Sequence, residues 1–177
     1  GRITNLPLES RQLEIFAAGF NPYTVDELKP RLLKQYGRRY AVSQSERFLV
    51  VHPRTLSKNG ENQAATYDAV YRRIEAWFLK REFETRPPPF PMIVVVLASK
   101  NEFTRQIGDD ILFKKNVAGL YSQSSNRVIA YTSTDPRHVA RVRAQAATTL
   151  IHETVHQAAF NIGIHDRLTP PPRWLSE

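Results

Sequence analysis

The 177 residues are enough for one domain, and the 41% of them that are hydrophobic are enough for a substantial core. The chain has no cysteine, which excludes disulfide bonds, and no apolar run of the roughly 18 residues that a transmembrane helix requires. The net charge is +8, but the basic residues are scattered and no zinc-finger or RNA-binding signature accompanies them. We therefore expect an ordinary basic surface without specific nucleic-acid binding.

Residues 1–37 are predicted to be an N-terminal extension or leader, separate from a domain formed by residues 38–177. The stretch lacks the basic-then-apolar pattern of a signal peptide. Thr24 and Glu27 have the spacing of a capping box, which predicts a short helix over 26–36, ended by the glycine that follows. This extension either packs on the domain or is the tail of a preceding one.

A hairpin and a helix are predicted after this extension. Two extended segments, 40–42 and 48–51, flank a polar turn. The dipeptide Asn59-Gly60 signals another turn in the polar stretch that follows. Apolar and aromatic side chains then recur at helical spacing over 64–83, which indicates an amphipathic helix that packs against the core.

The following stretch contains the strongest strand signal. The apolar run Met92–Leu97 has the length and composition of a buried central strand. Ser99 and Glu102 form a second capping-box pattern, which predicts a short helix. Segments 117–121 and 127–131 flank a polar loop and predict a second hairpin.

A His-Glu-x-x-His motif lies within the longest predicted helix, which begins at 135–136 with an Asp-Pro pair and meets no glycine or proline before Gly163. Residues four apart on a helix lie on one face, one turn from each other, so the imidazoles of His152 and His156 can bind one zinc ion. The carboxylate of Glu153 lies beside them. It can take a proton from water and pass it to a leaving amine.

A catalytic zinc site needs a third protein ligand. The His-x-x-Gly-x-x-His continuation of one class of zinc peptidase is excluded, because Ile162 occupies the position of its histidine. Another class takes a glutamate from a second helix, and Glu177 follows a proline run, 170–172, that suits the start of such a helix. His165 is the alternative third ligand.

The C-terminal part of the sequence contains three blocks: His-Glu-Thr-Val-His-Gln at 152–157, Ala-Phe-Asn-x-Gly at 159–163 and Pro-x-Trp-Leu-Ser-Glu at 172–177. Together they resemble the thermolysin-like metallopeptidases, or gluzincins. More narrowly, they are similar to a bacterial family of uncharacterised proteins with a His-Glu-x-x-His-Gln block and a Trp-Leu-x-Glu-Gly block. The sequence ends before the glycine of the second block, so we expect a catalytic domain that is cut short at its C-terminal end.

The resemblance implies both a site and a substrate. By resemblance, one Zn²⁺ is bound by His152, His156 and Glu177, and Glu153 is the general base. By analogy with the fold, the first strand of the second hairpin is an edge strand beside the cleft and pairs main chain to main chain with an extended peptide. The residues expected to bind substrate there are Gly119, Leu120 and Tyr121.

The order strand, helix, strand, helix, hairpin and long helix predicts an α+β fold, with a small twisted mixed sheet packed on helices like a thermolysin-like N-terminal subdomain. Asn161 and Asp166 are candidate hydrogen-bond partners of the zinc-binding histidines. The predicted function is a zinc-dependent peptide-bond hydrolase acting on a peptide or protein. Two alternatives stay open: an inactive peptidase-like binding module with a basic surface, and a zinc amidase acting on cell-wall peptides.

Overall fold

The computed structural model describes residues 23–88, 90–108, 117–133 and 139–165. In these ranges the chain forms four α-helices and one five-stranded mixed sheet, which confirms the predicted α+β fold. The helices are α1 (Val25–Tyr36), α2 (Ser57–Leu79), α3 (Lys100–Ile107) and α4 (Val139–Asn161). The strands are β1 (Tyr40–Gln44), β2 (Phe48–Pro53), β3 (Met92–Leu97), β4 (Gly119–Ser122) and β5 (Arg127–Tyr131). None of the helices in these ranges is long and apolar enough to cross a membrane.

The sheet has the strand order β1-β2-β3-β5-β4, with a parallel centre and an antiparallel hairpin at each side. Strand β3 lies in the middle, where Val94 pairs with Val50 of β2 and with Val128 of β5. Every residue of β3 is buried. A parallel strand covered on both faces needs such a continuous apolar run, so the predicted central strand is confirmed. Strand β4 is at an edge of the sheet.

Helices cover both faces of the sheet, and alternate residues of each strand face opposite layers. One core cluster joins α2 and α4 to the strands. Its largest members are Phe48, Tyr67, Tyr71, Met92, Leu150 and Ile162. The second cluster joins α1 and α3 to the other face. Its largest members are Leu32, Tyr40, Leu49, Ile93, Leu97 and Phe103.

Helix α1 packs on the sheet. The predicted capping box is present, because the Thr24 hydroxyl accepts from the Glu27 main chain and the Glu27 carboxylate accepts from the Thr24 main chain. Leu32 is buried in the second core cluster, and the guanidinium of Arg127 donates to the side-chain carbonyl of Gln35 at 3.1 Å. Residues 1–22 lie outside the described ranges, and for them the leader stays a prediction.

Helix α2 begins earlier than predicted. The turn expected at Asn59-Gly60 is wrong, because α2 continues directly from a 3₁₀ turn at Arg54–Leu56 and includes both residues. A glycine within a helix costs only about 1 kcal/mol, and packing against the sheet outweighs so small a preference. The helix also ends at Leu79, before the predicted Phe83; Glu82 has a left-handed φ of 64°.

Helix α4 approaches the edge strand closely at Gly119. A Cβ atom at this position would lie 2.8 Å from the Ala130 Cβ and 2.9 Å from the Thr149 Cγ2. Both distances are shorter than van der Waals contact, so only glycine allows this approach. Gly119 therefore allows α4 to lie against β4 directly before the His-Glu-x-x-His motif.

We expect Gly119→Ala to lower the free energy of unfolding by about 1–3 kcal/mol, the usual cost of an added methyl group in a filled space. Urea denaturation gives this value. Adding Thr149→Ser removes the Cγ2 methyl that the new Cβ would meet, so the double variant should recover part of the loss. A Gly119→Ala protein as stable as the wild type would show that the helix and strand are not in contact here.

Candidate metal and hydrolase site

Three stripes of side chains run along α4, each with members one helical turn apart. The first stripe faces the core and consists of Ala146, Leu150, Thr154 and Ala158, and the buried Ile162 follows directly after the helix. The second faces the β4–β5 hairpin and consists of Thr149, Glu153, Gln157 and Asn161. The third holds the exposed His152 and the half-buried His156. One helix therefore presents the two histidines and the glutamate beside the sheet edge.

The two histidine side chains meet at their Nε2 atoms, which are 3.0 Å apart, with the rings nearly perpendicular at 80°. A zinc–imidazole bond is about 2.0–2.1 Å long, so two such bonds can span this separation with one ion between them. Without a cation, two nitrogens this close must share a proton, one donating to the other. The donor set and its spacing thus fit a zinc ion.

Burial also suits His156 to metal binding. Its pKa is lowered, first by burial, then by the charges of His152 and His165. A lower pKa keeps the imidazole neutral at physiological pH, and the neutral ring is the form that binds a metal.

Among the described residues, no third side chain joins the two histidines. In the ranges that the structure describes, no group of three His, Cys, Asp or Glu side chains is arranged to hold a metal ion. His165 packs its ring against Phe160, with centroids 5.2 Å apart, and does not complete such a group with His152 and His156. The predicted ligand Glu177 and the predicted support Asp166 lie outside the described residues, as does the helix start at 135–136.

The Glu153 carboxylate is held by the edge strand. The main-chain N–H of Tyr121 donates to Glu153 Oε2 at 2.8 Å. Burial raises the pKa of Glu153, while the charge of His152 and the bond from Tyr121 oppose this rise. A half-buried carboxylate with a raised pKa is suited to accepting and returning a proton.

The main-chain groups of successive β4 residues point alternately toward β5 and away from it. In an antiparallel pair, successive residues turn their main-chain groups alternately toward and away from the partner strand. Leu120 is paired opposite Ile129, and the Tyr121 N–H points away from β5 to Glu153. Of the three predicted substrate-binding residues, Gly119 and Tyr121 therefore turn their main-chain groups away from β5, and Leu120 turns its groups toward β5.

A polar network connects the far end of α4 to the β4–β5 turn. The amides of Asn126 and Asn161 donate to each other at 3.0 and 2.9 Å. The Tyr121 hydroxyl donates to Asn126 Oδ1 at 2.9 Å, and the fully buried Gln157 donates to the carbonyls of Asn126 at 2.7 Å and of Ile93 at 3.2 Å. The predicted support of the histidines by Asn161 stays a prediction.

Gln157 and Asn126 are not among the site residues predicted from the sequence. A usable signal was present, because Glu153, Gln157 and Asn161 repeat at four-residue spacing beside an apolar stripe. Polar residues at that spacing indicate a helix face that meets hydrogen-bonding groups. Which groups they meet depends on contacts distant in sequence, and Asn126 in a polar loop carried no distinguishing pattern.

Fold and site together define an α+β domain with a His-Glu-x-x-His helix beside a sheet edge. Comparison with protein families matches residues 146–177 to a family described as "Protein of unknown function (DUF1570)". The match covers both histidines, Glu153 and Glu177, and the description assigns no activity. No curated protein and no solved structure matches the chain.

The raised pKa of Glu153 predicts how its charge affects stability. A carboxyl whose folded pKa exceeds its unfolded value binds more protons when folded, so stability falls as pH rises from 4.5 through the folded pKa. In chelator-treated protein, Glu153→Gln should therefore become more stable relative to the wild type over that interval. Urea denaturation across a pH series measures the difference. Glu84→Gln, at an exposed position, is the control. If the stability of Glu153→Gln minus that of the wild type falls as the pH rises, the expectation is contradicted.

Proposed function

We propose that this chain carries the zinc-binding and general-base residues of a peptide-bond hydrolase. The proposal is carried by one observation. The Nε2 atoms of His152 and His156 converge to 3.0 Å, while the Glu153 carboxylate beside them is held by a main-chain N–H of an edge strand. The resemblance to thermolysin-like metallopeptidases supports the same assignment, with Glu177 as third ligand.

Each residue then has a distinct role. His152, His156 and Glu177 would hold a zinc ion, whose Lewis acidity activates water for attack and polarises a peptide carbonyl. Glu153 accepts the proton that water loses and returns it to the leaving nitrogen. Its bond from Tyr121 uses Oε2 and leaves Oε1 for this work. The raised pKa of Glu153 favours its protonated form, which carries the proton between these two steps.

The edge strand supports a peptide as the substrate class. Strand β4 is the last strand of the sheet in the part of the chain that the structure describes, and an extended peptide can pair with such an edge as an added strand. Recognition through the main chain gives little selectivity for the substrate's side chains at this strand.

Glu153→Gln should keep zinc and lower kcat/KM by at least about 10²-fold, because general-base catalysis commonly contributes that much or more. His152→Ala and His156→Ala should lose both zinc and activity. Elemental analysis and a peptide-cleavage assay, on the protein with any residues that follow Glu177 in its natural chain, measure both. Normal cleavage by Glu153→Gln would overturn the base assignment; bound zinc without any cleavage by the wild type would favour a binding module.

A matched pair of variants identifies the third ligand. If Glu177 is the ligand, Glu177→Ala should weaken zinc affinity strongly, whereas His165→Ala should change it little. Titration with zinc against a competing chelator gives both affinities. The reverse order of effects would transfer the role to His165.

A further inference from the structure

We propose that Asn126 and Asn161 form a positioning clamp, which fixes the register of β4 against α4 and so keeps the Tyr121 N–H on the Glu153 carboxylate. The structural part of this inference is independent of activity. Its catalytic consequence rests on the proposed function. Neither residue touches the histidines in the bonds described above, so both would act through Tyr121 and Glu153.

Asn126 is the centre of the clamp. Its side chain exchanges two hydrogen bonds with Asn161 and accepts a third from the Tyr121 hydroxyl, and its carbonyl accepts from Gln157. The exchange with Asn161 needs a donor and an acceptor on both side chains. Asparagine provides both, and aspartate lacks the donor.

The backbone of Asn126 imposes a second requirement. Its φ is 53°, in the left-handed region that glycine and asparagine adopt most readily. Asn126→Gly would therefore keep the turn and remove only the side-chain bonds. Asn126→Ala would remove the bonds and strain the turn, so the two variants separate the clamp from the backbone.

The clamp and Gly119 fix the hairpin on both sides of Glu153. Thr149 meets Gly119 one helical turn before Glu153, and Asn161 meets Asn126 two turns after it. A slip of β4 by one residue would move it about 3.3 Å and turn the Tyr121 N–H to the other side. Either change breaks the 2.8 Å bond to Glu153.

The first experiment needs neither metal nor activity. The ¹H–¹⁵N resonance of the Tyr121 amide is assigned in the wild-type protein, and Glu153→Ala gives its position without the carboxylate. In Asn126→Gly and Asn161→Ala the resonance should move toward that position. The Tyr121 amide hydrogen should also exchange with solvent at least about tenfold faster, because the contact with Glu153 opens more readily. Ser43→Ala, which removes a hydrogen bond to His52 on the remote hairpin, should change neither.

The second experiment measures the catalytic consequence. A misplacement of about 1 Å can cost roughly 10²-fold, so Asn126→Gly should lower kcat about 10- to 100-fold, with KM and zinc content nearly unchanged. The Asn126→Gly, Asn161→Ala double variant should lose little more than either single one, because both residues act as one unit. A purely structural role would instead lower the amount of folded protein without changing kcat per folded molecule.

The outcomes separate the two proposals. An unchanged Tyr121 resonance in folded Asn126→Gly and Asn161→Ala would overturn the clamp, whether or not the protein is a hydrolase. If Asn161→Ala does not fold, Tyr121→Phe removes one bond of the clamp and gives a milder shift in the same direction. A wild-type protein that shows the expected shifts but cleaves nothing would overturn the proposed function and keep the clamp.

Discussion

The contact between α4 and the β4–β5 hairpin is the constraint on which the site depends. Gly119 allows the helix to reach the strand, because the Thr149 side chain occupies the space that a side chain at position 119 would need. One turn further along, Glu153 reaches the main chain of Tyr121. The histidines lie on the neighbouring face of the same helix, so their position beside the sheet edge follows from this contact.

Polar groups at this interface fix its geometry where apolar packing alone would not. Apolar side chains tolerate small sliding movements, whereas hydrogen bonds are lost within about 1 Å of displacement. The NH2 group of the fully buried Gln157 and the amide of the nearly buried Asn161 would lose their partners if the helix slid, and a buried donor without a partner costs about 1–3 kcal/mol. Sliding of the helix along the hairpin would therefore break several hydrogen bonds at once, including the one that holds Glu153.

Local sequence signals predicted most of the fold. Strand Met92–Leu97 and the capping box of α1 were confirmed, because each depends on residues close together in the chain. The predicted start of α2 was wrong, because the helix continues through Asn59-Gly60, where the sequence indicated a turn. Within the site, the convergence of His152 and His156 follows from helix geometry. The contacts of Glu153 with Tyr121 and of Asn161 with Asn126 join segments more than thirty positions apart. No local pattern contains them.

The bond between Glu153 and the outer side of β4 also affects self-association. An open sheet edge is a template on which a strand of another molecule can assemble, and proteins commonly protect such edges with charge. Here the carboxylate occupies one of the few main-chain donors that the edge offers. A second copy of β4 would have to displace it and bury the charge. The same bond therefore leaves fewer main-chain donors with which a strand of another molecule could pair.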